Sequence, residues 1–289
     1  MTTVENLTAQ VPSTVSGRVS LWGMLRSEWL KLTSLRSTYW LVGITIAGAV
    51  TTAAMFAFLF RMAGEEMTGP SGQPISDSSI IPGPEFVAIS VASTALITIG
   101  ILAVLAITSE YSSGSIRTTF TAVPARQRVL GAKTLVVVLI SGVTTLIATA
   151  LSWVTLRVIY PQGFTDSEVG AFDVVGGSAL YLMAIAAFAL GVGALVRSSA
   201  AAMSIVLGLF LIVEQLMLVV AVFNETMANI VAFLPSTAGS LITNGSMSTA
   251  MLAESNAPQL TPWEGYGVLM IWVVVVYSLG ALRLQKGDA

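Results

Sequence analysis

Three features of the sequence predict an all-α, polytopic integral membrane protein with six transmembrane helices. The first is composition: of 289 residues, 55% are apolar and only 10% charged, with a mean hydropathy of +0.84. Soluble domains carry about 25% charged residues because a water-facing surface needs them. The second is the presence of six apolar runs near the length that crosses a hydrocarbon core, roughly 20 residues. Their continuous character fits helices and not the alternating strands of a barrel. The third is segregation of charge. Arg18, Arg26, Lys31, Arg36, Arg117, Arg126, Arg128, Lys133, Arg197, Arg283 and Lys286 all fall on one side of the predicted spans. Arg61 and Arg157 sit at span ends and can snorkel to headgroups. The opposite connections hold mostly acids, among them Glu65, Glu66, Asp77, Glu85, Asp166, Glu168, Asp173, Glu225, Glu254 and Glu264. Basic residues stay cytoplasmic, so both termini are expected in the cytoplasm.

In chain order, residues 1–19 are polar and expected to be disordered and cytoplasmic, with no cleavable signal. Residues 20–37 predict an amphipathic helix: Leu21, Leu25, Trp29 with Leu32, and Leu35 recur at helical spacing. Arg26, Lys31 and Arg36 surround that face, and Trp22 and Trp29 suit a helix lying in the headgroup plane. A plain cytoplasmic extension of the first span is the simpler alternative. The six-span membrane domain, 38–284, holds spans at 39–60, 86–108, 134–156, 174–196, 200–223 and 266–282. Trp263, Tyr266 and Trp272 would anchor the short last span at an interface. Only Arg197-Ser198-Ser199 separates the fourth and fifth spans, which demands a tight hairpin. Residues 285–289 form a cytoplasmic tail.

The loop 109–133 is the longest on the basic side, with a turn at Gly114, a helical stretch at 115–122 and a stop at Pro124. On the acidic side, 224–265 is too long for a simple turn. It contains an apolar stretch at 227–234, Pro235, and apolar Leu241-Ile242. Short re-entrant helices and an amphipathic segment lying on the leaflet read alike there. Small residues on the fourth span (Gly176, Ala184, Ala187, Gly191) point to close helix packing.

The chemistry available is narrow. Without cysteine, thiolate nucleophiles, thiolate metal sites and disulfides are impossible. Without histidine, Ser–His proteolysis and the H-E-x-x-H zinc motif are excluded. No span core holds an aspartate, so catalysis is not expected, nor are metal ligands or nucleic-acid binding. Glu214, with Gln215 beside it, is the ionisable residue deep inside a span. A carboxylate at a helix centre costs about 2.5–3.5 kcal/mol on insertion scales, so it faces the bundle interior, a partner or a water-filled cavity. It reads equally as a pathway contact and as a hydrogen-bonded tie between helices.

Two stretches carry a family resemblance: SEWLKLTSLRSTYW at Ser27–Trp40, and SEYSSGSIRTTFTAVPARQRVLGAK at Ser109–Lys133. Together, in that order, they resemble the permease subunits of bacterial ABC type-2 exporters, particularly those of actinobacteria. The resemblance implies two permease subunits around a translocation path, each docked on a separate cytoplasmic ABC ATPase that binds ATP and Mg. The phosphate-cradling motif G-x-x-x-x-G-K-S/T is missing here; Gly131-Ala132-Lys133-Thr134 matches only its end. The resemblance further implies a coupling helix in 109–133, with Glu110, Arg117, Pro124 and Arg126 at the docking positions. Re-entrant helices in 224–265 would cap the exit. The second and fifth spans would line the path, which makes Ser90, Thr94 and Thr98, at i, i+4 and i+8, lining candidates beside Glu214 and Gln215. Serine and threonine equally bond back to their own helix carbonyls.

The function expected is outward, ATP-driven movement of a hydrophobic or amphiphilic compound (a drug, antibiotic, lipid or peptide). The competing expectation is an ion-gradient-driven secondary transporter using Glu214, since six spans can form inverted sets of three. A single intramembrane acid is a sparse proton relay, however, and no pair of Gly/Pro-broken spans is evident. A channel lacks a T-V-G-Y-G-type filter.

Overall fold

The computed structural model describes residues 20–66, 85–114, 126–161, 170–243 and 258–286. Every regular element among the described residues is helical. In chain order these are α1 (Leu21–Ser34), α2 (Arg36–Glu66), α3 (Glu85–Ser112), α4 (Arg126–Ile159), α5 (Ala171–Val196), α6 (Ser199–Leu207), a π-turn (Gly208–Val213), α7 (Glu214–Ala221), α8 (Glu225–Val231), α9 (Pro235–Ser240), a 3-10 turn (Leu241–Thr243) and α10 (Pro262–Lys286). Six segments are long and apolar enough to cross a membrane: α2, α3, α4, α5, α6 continuing through the π-turn into α7, and α10. Each predicted apolar run overlies one of them.

The boundaries move where charge, not hydropathy, ends the run. α4 begins at Arg126, eight residues before the apolar stretch at 134, and α3 continues to Ser112. The expected loop 109–133 is therefore helical at both stems. Backbone hydrogen bonding carries a helix past the end of its apolar face wherever the exposed turns find polar partners, and both stems do.

Apolar contact with lipid exerts no net pull between spans, so close packing decides which helices meet. α5 is the hub, with 72% of its apolar window buried against 22% for the first, fifth and sixth spans. It packs on α3, α4 and α10, and α2 packs on α3 and α4. Gly191 is what lets α10 come so near: a Cβ there would stand 3.1 Å from the Tyr277 backbone. One at Gly280 would lie 2.8 Å from the Gly191 carbonyl oxygen. Ala184 is buried and Ala187 packs against the core, as small residues at an interface should. Gly176 is different, since a Cβ there would meet nothing within 4 Å; its neighbour Gly177 makes the close approach, to the Ile242 backbone.

At the acidic end, Phe56, Phe60, Phe86 and Tyr160 join α2, α3 and the end of α4 through edge-on and tilted rings, Phe60 and Phe86 with centroids 4.7 Å apart. Here too α8 and the segment Pro235–Thr243 form a pair bent by 65°. Pro235, Ser236, Ala238, Gly239, Ile242 and Thr243 are buried, so this segment is tucked among α5, α7 and α10 and does not lie on the bundle surface. The Trp272 indole donates to the Phe233 carbonyl at 3.0 Å. The rest of the outer stretch, 244–257, is outside the described residues.

At the basic end, α1 starts on a Ser20 cap, whose hydroxyl accepts from the Gly23 amide at 3.0 Å. It ends at Leu35, where extended backbone turns the chain into α2. The buried stripe of α1 is Met24, Glu28 and Leu32. Leu21, Trp22, Trp29, Leu30 and Leu35 are exposed. Of the apolar positions read at helical spacing, Leu21, Trp29 and Leu35 thus point away from the bundle, whereas Leu32 is buried and Leu25 packs against the core. An acidic residue, Glu28, sits in the middle of the face that points in.

Candidate functional site

Two constellations of polar side chains stand out, one at each end of the bundle.

The first begins with Glu28 and Lys31, three residues apart on α1 and so neighbours on one helix face. Lys31 Nζ lies 2.7 Å from Glu28 Oε1 and 2.9 Å from Glu110 Oε1. Lys133 Nζ lies 2.9 Å from the same Glu110 oxygen and pairs also with Glu28 Oε2. Each lysine touches both carboxylates and each carboxylate both lysines: an alternating, charge-neutral ring. Glu110 comes from the last turns of α3 and Lys133 from the early turns of α4, so the ring joins both stems of the 113–125 connection to α1. The side chains of Lys133 and Glu28 are 2% and 3% exposed, whereas Lys31 is 43% exposed. Burial pulls the Lys31 ammonium down from its ordinary value, but the Glu28 and Glu110 carboxylates outweigh it and hold it above that value. Met24, Val129 and Ala132, with Leu25 beside them, form an apolar cluster around this joint.

Of the residues expected at the docking surface, Glu110 is therefore turned inward and occupied by two lysines. Arg126 is the first residue of α4. Arg117 and Pro124, with the helical stretch 115–122, lie outside the described residues. Sequence reasoning missed the partnership of Glu28, Lys31 and Lys133. A signal existed: apart from Glu5 and Asp288 near the chain ends, Glu28 and Glu110 are the acids on the predominantly basic side, and each has a lysine within reach in sequence or topology.

The hairpin between α5 and α6 adjoins this region. Arg197 closes it in the left-handed conformation, φ 63°. Its guanidinium donates to the Arg283 carbonyl at 2.7 Å, and Arg283 donates back to the Leu195 carbonyl at 2.6 Å. Two helix C-termini thereby receive cationic donors for carbonyls that have no partner within the helix. Arg197 also lies over the Tyr111 ring, 5.4 Å from its centroid, and Ser199 donates to Thr108 at 2.8 Å.

The second constellation is built on Glu214. The π-turn before it bonds the Glu214 amide to the Leu209 carbonyl, five residues back, and Glu214 itself is 1% exposed. Its Oε1 accepts from the Ser236 amide at 3.1 Å. Its Oε2 accepts from the Thr237 amide at 3.0 Å and the Thr237 hydroxyl at 3.2 Å. These amides open α9, whose own cap residue, Leu234, has no side-chain acceptor. A carboxylate from another helix does that work, where the helix dipole and two free N–H groups favour negative charge. Tyr181 and Ser236 share a hydrogen bond of 2.8 Å beside it. These bonds tie α7 to the start of α9.

The remaining lining candidates are not brought together with Glu214. The Ser90 hydroxyl donates to the Val87 carbonyl at 2.7 Å. The Thr98 hydroxyl donates to Thr94 at 3.0 Å and meets Thr45 of α2 at 2.6 Å. Thr94 is half-buried against Gly48. Thr94 and Thr98 thus face α2 within the subunit, and Ser90 is buried. Gln215 is exposed, next to the exposed Ile212, Leu216 and Val219. No group of acidic residues that could hold a metal ion occurs among the described residues.

A comparison with curated proteins returned no match. A family model described as ABC-2 family transporter protein matches residues 36–289, a range containing all six spans, two of the four ring positions (Glu110 and Lys133) and the Glu214 tie. The chain is therefore a multi-pass membrane transport subunit of the kind that associates with an ABC ATPase, and it belongs to the ABC-2 transporter family.

Proposed function

We propose that this subunit works as the permease half of an ATP-driven exporter, moving a hydrophobic or amphiphilic compound such as a drug, antibiotic, lipid or peptide out of the cell. A separate cytoplasmic ATPase binds ATP and Mg, and a second permease subunit, identical or related, completes the path. Both termini lie in the cytoplasm, following the bias of eleven of the 13 Lys and Arg to one side.

The observation that carries this reading is the design of the basic end. Both stems flanking the connection, the end of α3 and the start of α4, are helical and fastened to α1, which gives an ATPase pushing between them two held levers. Glu110 supports docking from within, by holding the stem, while Arg117, Pro124 and Arg126 remain the contacts expected on the ATPase. An apolar face of the fifth span, with Gln215 its polar member beside Ile212, Leu216 and Val219, suits a second subunit or an amphiphilic cargo. Ser90, Thr94 and Thr98 are weaker lining candidates, since two of their hydroxyls are engaged inside the subunit.

The ion-gradient alternative rests on Glu214 as proton carrier. Both of its oxygens are committed to α9, which weighs against it. Co-purification with an ABC ATPase, followed by ATP-dependent uptake of an amphiphilic dye into inverted vesicles, tests the proposal. Uptake that needs an ion gradient and ignores ATP would overturn it.

A further inference from the structure

We propose that the Glu28–Lys31–Glu110–Lys133 ring is a transmission clamp. It makes α1, the end of α3 and the start of α4 move as one body when the ATPase pushes on the connection between them. The inference rests on the ATP-driven reading above and adds the residues that carry the stroke.

Adhesion alone does not account for the ring. Taking charges out of water is expensive, and apolar side chains of similar volume commonly replace a buried ion pair with no loss of stability. Apolar packing is already present at the same joint, from Met24, Leu25, Val129 and Ala132. What the ring adds is geometry. Apolar surfaces slide over one another with little change in contact, whereas an ion pair weakens once its partners separate or lose alignment. Here three of the four pairs run between helices, one for each pairing of α1, α3 and α4. The fourth, Glu28–Lys31, fixes the two α1 members to each other, so displacement of any one helix strains contacts to both others.

The placement also fits. Two ring members flank the connection in sequence, Glu110 on one side and Lys133 on the other. The other two sit on α1, which turns at Leu35 directly into the first span. A push on the connection therefore reaches the first three spans together. The hub α5 and α10 hold no ring residue. Glu28, Lys31, Glu110 and Lys133 act on transport through other groups, so they are positioning residues.

The cysteine-free chain permits a direct test. Spin labels are placed at Trp22→Cys on α1 and Val143→Cys on α4, both exposed sites, in nanodiscs containing the permease with its co-purified ATPase. In the otherwise unaltered chain, one narrow distance is expected, the same with and without ATP–Mg. Glu28→Gln with Lys133→Met removes one member of each sign and keeps the site neutral, so it tolerates folding better than either single change. That variant should broaden the distance distribution while ATP hydrolysis by the complex persists. ATP-dependent protection of Ile212→Cys from a maleimide should fall by about fivefold or more, a typical coupling between sites. Reversing all four charges together (Glu28→Lys, Lys31→Glu, Glu110→Lys, Lys133→Glu) should restore both readouts. A distance in the unaltered chain that shifts with nucleotide would overturn the clamp, as would a neutral double variant that keeps the narrow distance and the full ATP response. Failure of any ATPase to co-purify would count against the transporter reading instead. The nucleotide-free distances would still decide whether the ring binds the three helices into one body.

Discussion

Lys133 and Glu214 are both charged side chains taken almost wholly out of solvent, and they are tolerated for different reasons. Lys133 is neutralised by two carboxylates; Glu214 is satisfied by three donors at the start of α9. Removing one partner of a buried pair leaves an uncompensated charge and costs about 3–5 kcal/mol. Lys133→Met alone should therefore lower the thermal midpoint in detergent well below that of the neutral double variant with Glu28→Gln. Glu214→Ala orphans the Ser236 and Thr237 amides and the Thr237 hydroxyl, at about 1–3 kcal/mol for each buried donor left unmet. Glu214→Gln keeps one acceptor oxygen and should lose less. If Glu214 acts only as this tie, transport by the Gln variant should track its stability; transport lost from a fully assembled, stable variant would return Glu214 to the pathway. Lys31 sets a pH expectation. Its ammonium is held above the ordinary value of 10.5, so its contribution is complete below that value and fades only as pH climbs through the higher one. The helix-α1 joint should keep its protection from amide exchange across the neutral range and lose it only in strong alkali.

Among the helices, the glycines of α5 offer an internal control. Gly176 and Gly177 are adjacent, yet a Cβ on the first meets open space and one on the second meets the backbone of Ile242. Gly177→Ala should cost about 1–3 kcal/mol, as overpacking does, and loosen the outer segment. Gly176→Ala should stay within about 0.5 kcal/mol of the parent. Protease susceptibility near residues 241–243 would report the difference. Helices were largely legible beforehand because hydropathy along twenty residues is a property of those residues alone. Their ends on the basic side were not, because α4 gains two turns from contacts with α1 that lie a hundred residues away in sequence. The inward face of α1 was not legible for a related reason: Trp22 and Trp29 mark the exposed apolar side, while the groups that meet Glu28 and Lys31 on the other side lie on distant segments.

For the molecule as a whole, charge segregation predicts a sidedness that cysteine mapping checks directly. A probe at Ser112→Cys, at the basic end, should react with an impermeant maleimide only after the membrane is opened. Trp263→Cys, at the acidic end and 69% exposed, should react in intact cells. The reverse pattern would invert the transporter. The distribution of burial adds a second expectation. The fourth span is enclosed while the first, fifth and sixth show most of their apolar surface, so any partner subunit has those faces to use. Crosslinking from Ile212→Cys should capture a second copy of the chain or a related permease.

Hydropathy is a one-dimensional quantity, and it was enough to establish the helical class and the number of spans; the family resemblance came separately, from the residue patterns of 27–40 and 109–133. Which polar residues meet was settled only by packing in three dimensions. Glu28 and Lys133 are separated by 105 positions, and Glu214 and Ser236 by 22. A lone charge in a sequence reveals what its burial would cost but not which distant group will offset that cost, and here those groups define both ends of the bundle.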